Sequence, residues 1–301
     1  MRYLVTGGAG FIGSNIVNLL VKTNHEVIVI DNLERGNFSR IEKLSSKILF
    51  KKIDIRNFDE LNREIKDIDG IFHEAALTVV SESFLKHDEY YEVNVNGTQN
   101  IFEIAKKLGV KVVFASSSSI YGDVKQIPIN ENFEQKPINP YGKTKAEKEK
   151  LAIEFWDKGV DIVGLRYFNV YGKGQNSAYS GVITRFMERI QNNLPPIIHG
   201  SGNQIRDFIS VEDVAKANII SMESKISKDF FNIGTGKSTS ILELAKMMIE
   251  ISEKNLEPIF DQELPGDINE SLADTNHCKE MLNWKYEIKL EKGLRKLLSK
   301  D

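Results

Sequence analysis

The 301-residue sequence predicts an α/β fold: a doubly wound parallel sheet with a smaller mixed α/β lobe. Three observations predict it. Short apolar strand-like runs alternate with amphipathic helical stretches through the first half. A glycine-rich turn joins the first strand to the first helix. After Asn169 the alternation loosens, which suggests a sheet domain that gives its later loops to a second lobe.

Taken in order, RYLVTG (2–7) is rich in β-formers and stops at glycines. FIGSNIVNLLVK (11–22) sets Ile12, Ile16, Leu19 and Leu20 at helical spacing. EVIVID (26–31), ILFKKID (48–54), DGIFHEA (69–75) and KVVFASS (111–117) are buried-strand runs with helical stretches between them. DIVGLRYF (161–168) adds a sixth strand. VYGKGQNSAYS reads as loop, a helix over 182–192 is stopped by Leu194-Pro195-Pro196, and IIHGSGNQIRDF is loop-like. VEDVAKANIISM (211–222) is helical and FFNIGTG reads as one more strand. Helical stretches follow near 240–253, 276–282 and 290–299.

Composition excludes several classes. Forty Lys and Arg against 43 Asp and Glu leave a net charge of −3, with pI near 6.1. A nucleic-acid partner needs a positive footprint, so none is expected. No apolar run reaches the roughly 18 residues of a membrane span, so no membrane partner is expected either. Met1-Arg2-Tyr3 leads straight into a strand, so no signal peptide is expected. Cys278 is the single cysteine, which suits a reducing cytoplasm. The five histidines (25, 73, 87, 199, 277) are scattered, with no CxxC or HExxH, so no metal site is predicted.

Thr6-Gly7-Gly8-Ala9-Gly10-Phe11-Ile12-Gly13 stands between a strand and a helix. Gly7, Gly10 and Gly13 permit a tight turn and let the backbone approach a pyrophosphate at the helix N-terminus. Asp31 closes the second strand, where a carboxylate accepts both ribose hydroxyls of NAD and repels the 2′-phosphate of NADP. These features predict a Rossmann-type sheet and NAD as cofactor. The predicted division is residues 1–168 as the NAD-binding domain, rejoined by about 205–235. Residues 169–204 and 236–301 form the second lobe.

Tyr141 and Lys145 lie four apart, on one face of a predicted helix. An ammonium held near a phenol favours the phenolate, which can take and return a hydroxyl proton. Ser116-Ser117-Ser118-Ser119 sits at the carboxyl end of the fifth strand, where open α/β sheets bind ligands. Ser117 is the expected hydrogen-bonding partner of the reacting oxygen. His73 closes the fourth strand; it is read as a residue packed near the dinucleotide and not as a base.

The GxxGxxG spacing resembles the extended short-chain dehydrogenase/reductase superfamily. TGGAGFIGS, DNLERG, NVNGT (94–98), SSSSIYGD, NPYGKTK, LRYFNVYG, GSGNQIRDFISVEDVA, FNIGTG and PGDINESLADT follow in the order of its nucleotide-sugar branch, over about residues 1–284. Within that branch the chain is most similar to the NAD-dependent UDP-glucose (UDP-galactose) 4-epimerases. The resemblance implies dinucleotide contacts at Phe11, Ile12, Asp31, Asn32, Gly36, Asp54, Ile55, Ala75, Asn94, Tyr141, Lys145 and Phe168. It implies sugar contacts for Ser117 and Tyr141, diphosphate contacts for Asn169 and Arg206, and uracil contacts for Val182 and His199. Asp267 and Ser271 are implied at the substrate as well. Dehydratase relatives carry Asp-Glu where this chain has Ser118-Ser119, which argues against water loss. Relatives also have Arg before Pro-Gly-Asp, where Leu264 stands here.

The implied reaction is reversible, NAD-dependent inversion at carbon 4 of a UDP-hexose through a transient 4-keto sugar. Ser271 is small, so the N-acetylated pair is expected as substrate beside UDP-glucose and UDP-galactose. A UDP-glucuronate 4-epimerase or decarboxylase, or a net dehydrogenase, is the alternative; an intact Ser/Tyr/Lys set argues against a non-catalytic NAD-binding protein. Relatives dimerise through two helices per subunit, and 88–107 with 143–157 correspond. The implied partner is therefore a second copy, in a homodimer. Tyr90, Tyr91, Ile101, Leu151, Ile153 and Phe155 supply that face or the core.

Overall fold

The computed structural model describes residues 1–175, 181–263 and 268–299. The first half is β1 (Arg2–Thr6), α1 (Phe11–Lys22), β2 (Glu26–Ile30), β3 (Ile48–Lys51), α2 (Phe58–Glu64), β4 (Gly70–His73), α3 (Val80–Ser83), α4 (His87–Tyr91), α5 (Gly97–Leu108), β5 (Lys111–Ser117), α6 (Pro140–Asp157) and β6 (Ile162–Tyr167). The remainder is β7 (Asn169–Tyr171), α7 (Val182–Gln191), β8 (Ile197–His199), β9 (Ile205–Arg206), β10 (Phe208–Ser210), α8 (Val211–Glu223), β11 (Lys228–Ile233), β12 (Thr239–Ser240), α9 (Ile241–Ile251), β13 (Ile259–Asp261), α10 (Asn276–Leu282) and α11 (Leu290–Leu298).

Seven parallel strands form the central sheet in the order β11-β6-β5-β4-β1-β2-β3. This is the doubly wound order with one added strand, and its direction reverses between β1 and β4, where a crevice opens for ligands. Alternation along each strand divides the core between the two faces. Tyr3, Val5, Val27 and Val29 face α1 and α8, packing with Ile16, Leu20 and Val214. Leu4, Ile28 and Ile30 face the other way, towards Leu61, Phe102, Ala152 and Phe155. A separate core joins Tyr171, Phe186, Ile198, Leu244, Met248 and Leu294 in the second lobe.

Local chemistry sets the helix ends that matter for the site. Asn139 caps α6, its side chain accepting the Gly142 N–H at 2.8 Å, with Pro140 in the first turn. α5 ends on Gly109, whose φ of +65° is open to glycine without strain.

Two segments read as loop prove to hold short strands. β7 pairs with β10, β8 with β13, and β9 with β12. Strands of two or three residues show no periodicity, and their partners lie far away in sequence. The proposed interface residues also divide: Tyr90, Ile101 and Phe155 are fully buried in the core, Leu151 is part-buried against it, and Tyr91 and Ile153 are exposed. Among the described residues no helix is long and apolar enough to cross a membrane.

Candidate active site

A cavity of about 1300 Å³ runs along the carboxyl ends of the strands, and a second of about 360 Å³ adjoins it in the smaller lobe. The glycine turn lines the larger cavity. An added Cβ on Gly13 would stand 2.2 Å from the Gly7 carbonyl oxygen, so α1 can approach the turn this closely only with glycine there. Gly10 caps α1 without a side chain, and the first turn holds no acidic residue, so the helix's positive end is open to an anion. Asp31 stands nearby, 7% exposed, accepting the N–H groups of Ala9 and Leu33 at 3.0 and 2.8 Å. Burial pushes its carboxyl pKa up, and those hydrogen bonds and the Arg40 charge oppose the shift.

Phe11, Ile12, Asn32, Gly36, Asp54, Ile55, Ala75 and Phe168 line the same cavity. Arg56 and Asn32 hydrogen-bond Asp54, and the Arg56 bond is the main reason its pKa falls to about 2. Asn94 is the exception. It is fully buried and absent from the cavity wall. Its amide oxygen accepts the Leu77 N–H, and its NH₂ donates to the Leu77 carbonyl and the Thr144 hydroxyl. Asn94 therefore ties the loop after β4 to α6. With an open helix N-terminus, a side-chain-free turn and a carboxylate at the end of β2, the remaining residues fit NAD.

Ser117, Tyr141 and Lys145 all line this cavity. Lys145 is 2% exposed; its Nζ donates to the Ala115 carbonyl at 3.0 Å and lies 5.6 Å from the centre of the Tyr141 ring. Ser117 Oγ accepts the Ser119 N–H at 3.2 Å, and its hydroxyl hydrogen makes no hydrogen bond among the described residues. Gly142 lets α6 sit on the serine turn, because a Cβ there would lie 2.7 Å from the Ser119 carbonyl oxygen.

His73 is fully buried and satisfied on both nitrogens. Thr98 donates to the Asn94 carbonyl, so it accepts from His73 Nε2, and His73 Nδ1 accepts from the Thr6 hydroxyl. These two bonds leave no free nitrogen for base chemistry, and burial pushes the imidazole pKa well below its usual range. Its neighbour Glu74 was not anticipated. Glu74 lines the cavity and accepts the Tyr167 hydroxyl at 3.0 Å, and burial pushes its pKa up to about 7.

Lys148, one turn beyond Lys145, is fully buried, and its amine has no hydrogen-bond partner among the described residues. Its Nζ lies 5.4 Å from the Phe114 ring centre. Burial holds its pKa well below the usual ammonium range. Lys148→Met is therefore expected to stabilise the fold by about 1–3 kcal/mol, since it removes an unsatisfied buried polar group. Denaturant unfolding checks this; a lower midpoint would show the amine to be better satisfied than its contacts indicate.

Asn169, Val182, Arg185 and Arg206 line both cavities, so they mark the junction. His199 lines the smaller one, its Nδ1 3.1 Å from the Gln262 carbonyl. Ser271 is buried and is not a wall residue of either cavity; its N–H donates to the Ile205 carbonyl beside Arg206. Asp267 and Leu264 lie outside the described residues. Asp207, also not anticipated, is fully buried and accepts from Thr235, Gly236 and Ala273, which knots three loops behind Arg206.

Residues 3–234 match the model of the NAD dependent epimerase/dehydratase family. The chain belongs to this family. Its cofactor is NAD, and it is an enzyme of the epimerase/dehydratase kind. Among solved structures, it is similar to a UDP-N-acetylglucosamine 4-epimerase from Methanobrevibacter ruminantium, crystallised with UDP-N-acetylmuramic acid. The two are 37% identical, with TM-score 0.94, over 99% of this chain and 96% of that one. A UDP-glucose 4-epimerase from Thermotoga maritima, solved with UDP-glucose, is 35% identical with TM-score 0.93, over 98% and 96%. A UDP-N-acetyl-α-D-glucosaminuronate decarboxylase from Bacillus cytotoxicus is 32% identical over 99% of this chain and 96% of its own length. Family members that resemble this chain thus differ in the sugar they are named for and in the reaction, epimerisation or decarboxylation.

Proposed function

We propose that this enzyme inverts carbon 4 of a UDP-hexose, with Ser117, Tyr141 and Lys145 as the catalytic group. The observation that carries the proposal is that these three residues line the same cavity as the glycine turn, with Lys145 Nζ 5.6 Å from the Tyr141 ring centre. Residues 1–168, rejoined by about 205–235, would hold NAD, and residues 169–204 with 236–301 the nucleotide sugar. Bound NAD supplies reversible oxidation at carbon 4. Tyr141 takes the proton of the 4-hydroxyl and later returns it. Ser117 donates its free hydroxyl hydrogen to the reacting oxygen, and Lys145 supplies a fixed positive charge beside the phenol. The 4-keto sugar turns about its diphosphate linkage, and the proton returns with the opposite face presented.

The test is proton NMR of the purified protein with UDP-glucose, and separately with UDP-N-acetylglucosamine, with no NAD added. Appearance of the carbon-4 epimer supports the reaction and retention of the cofactor together. With NAD supplied in excess, a steady rise in absorbance at 340 nm would instead mark a net dehydrogenase. Absence of both, with NAD supplied, would direct the search to uronic-acid nucleotides.

Ser271 lines neither cavity, but its N–H bonds the Ile205 carbonyl beside Arg206, and its small size there is the ground on which the N-acetylated pair is proposed as substrate. Ser271→Tyr is expected to reduce turnover of UDP-N-acetylglucosamine by about tenfold or more relative to UDP-glucose, the scale at which a pocket separates substrates by bulk. Equal losses on both substrates would show a disturbed fold and not a specificity residue. For the homodimer, exposed Tyr91 on α4 and Ile153 on α6 are the proposed contacts.

A further inference from the structure

We infer that Arg185, on α7, is a second cation that grips the substrate diphosphate, opposite Arg206 at the junction of the two cavities. The inference rests on the proposed function, because it takes a nucleotide sugar as the occupant. When the base and ribose occupy the smaller cavity and the hexose faces Tyr141, the diphosphate crosses between them. Only Asn169, Val182, Arg185 and Arg206 line both spaces among the described residues, so the crossing lies at these four. Two of them are guanidinium groups, and they arrive from different elements, α7 and β9. Planar guanidinium forks match phosphate oxygens, and a diphosphate offers oxygens to both sides.

Arg185 differs from the other arginines near these cavities in having its fork uncommitted. Arg189 donates to the Pro195 carbonyl at 2.6 Å, Arg40 to the Gly174 and Ala9 carbonyls, and Arg35 to Glu82. The Arg185 backbone N–H donates to the Gly181 carbonyl within the helix, but its side chain makes no hydrogen bond or ion pair among the described residues. It is exposed at the junction and spaced by one helical turn from Val182, which sits at the start of α7. An arginine held at a cavity wall without a protein partner is placed for an anionic ligand.

Calorimetric titration of the full chain, with NAD supplied, tests this with UDP, UMP and UDP-glucuronate as titrants. Arg185→Gln is expected to weaken UDP about tenfold, the lower end for a charge-assisted hydrogen bond at an exposed site, and UMP by less. Arg185→Lys is expected to recover most of the loss, because it keeps the charge without the fork. Ligand-free unfolding midpoints of both variants are expected to match that of the parent. If the parent binds UDP and Arg185→Gln binds it equally well, the assignment is wrong and the proposed function stands. If Arg185→Gln weakens UDP-glucuronate alone, Arg185 reads a sugar carboxylate and the diphosphate assignment falls. If the parent binds no UDP, the proposed function fails, and this assignment fails with it.

Discussion

Tyr141→Phe is expected to lower turnover by about 10²–10⁴-fold while leaving the unfolding midpoint close to that of the parent. The change removes one hydroxyl, and that hydroxyl makes no hydrogen bond among the described residues. What positions Tyr141 is its backbone. Its N–H donates to Ser83 Oγ at 3.2 Å, its carbonyl accepts from Thr144, and Asn139 caps the turn on which it stands. Phenylalanine keeps all of these and keeps the ring that packs beside Lys145. Steady-state kinetics on whichever UDP-hexose is turned over, read alongside a thermal melt, separates chemistry from folding. Near-full activity in a folded Tyr141→Phe protein would remove Tyr141 as the proton carrier.

The second large effect concerns stability. Glu149 and Arg166 are 1% and 5% exposed at their side chains and form a two-pronged ion pair, Nε to Oε1 at 2.9 Å and Nη2 to Oε2 at 2.8 Å. Ser116 and Gln135 donate to the same carboxylate, and Arg166 also reaches Tyr121 and the Glu131 carbonyl. Glu149→Met leaves a buried guanidinium without its counter-charge and is expected to cost about 3–5 kcal/mol. The double change Glu149→Met with Arg166→Met is expected to cost less than Glu149→Met alone, since it removes both charges from the interior. A urea unfolding series of the parent, both single variants and the double variant measures the coupling. Strictly additive losses would show that the two side chains act separately. Because Ser116 precedes Ser117, loss of the pair is also expected to loosen the serine turn.

The sheet was legible in the sequence wherever strands were long enough to show a period or an unbroken apolar run. RYLVT, EVIVI, KVVFASS and IVGLRY each bury successive residues on opposite faces, and each reads clearly. The strands at β7 to β10 are too short for any period. In the site, Ser117, Tyr141, Lys145 and the glycine turn stand in compact local patterns, so their placement on one cavity could be anticipated. Glu74 belongs to no spaced motif, and its one signal in the sequence is that of an acid at a strand's carboxyl end. Arg185 carries no local pattern; it becomes notable only when the fold sets it on the same cavity lining as Arg206. Asn94 matched a cofactor position in a motif, yet its hydrogen bonds run to Leu77 and Thr144, which no spacing along the chain reveals.

The seventh strand has a consequence for how the protein can be divided. β11 pairs with β6 along its whole length, and Phe231 and Ile233 of that strand lie in the same core as Val5 and Val29. Between β6 and β11 the chain leaves the sheet, builds β7, α7 and β8, and returns through α8. A fragment ending near residue 168 would thus expose β6 as an unpaired edge and open one face of the core, a liability for aggregation. The two halves are interlaced like threads and not joined like beads. Expressed apart, the segment before residue 168 is expected to aggregate, and grafting a foreign second lobe onto it is expected to succeed only when β11 is carried along.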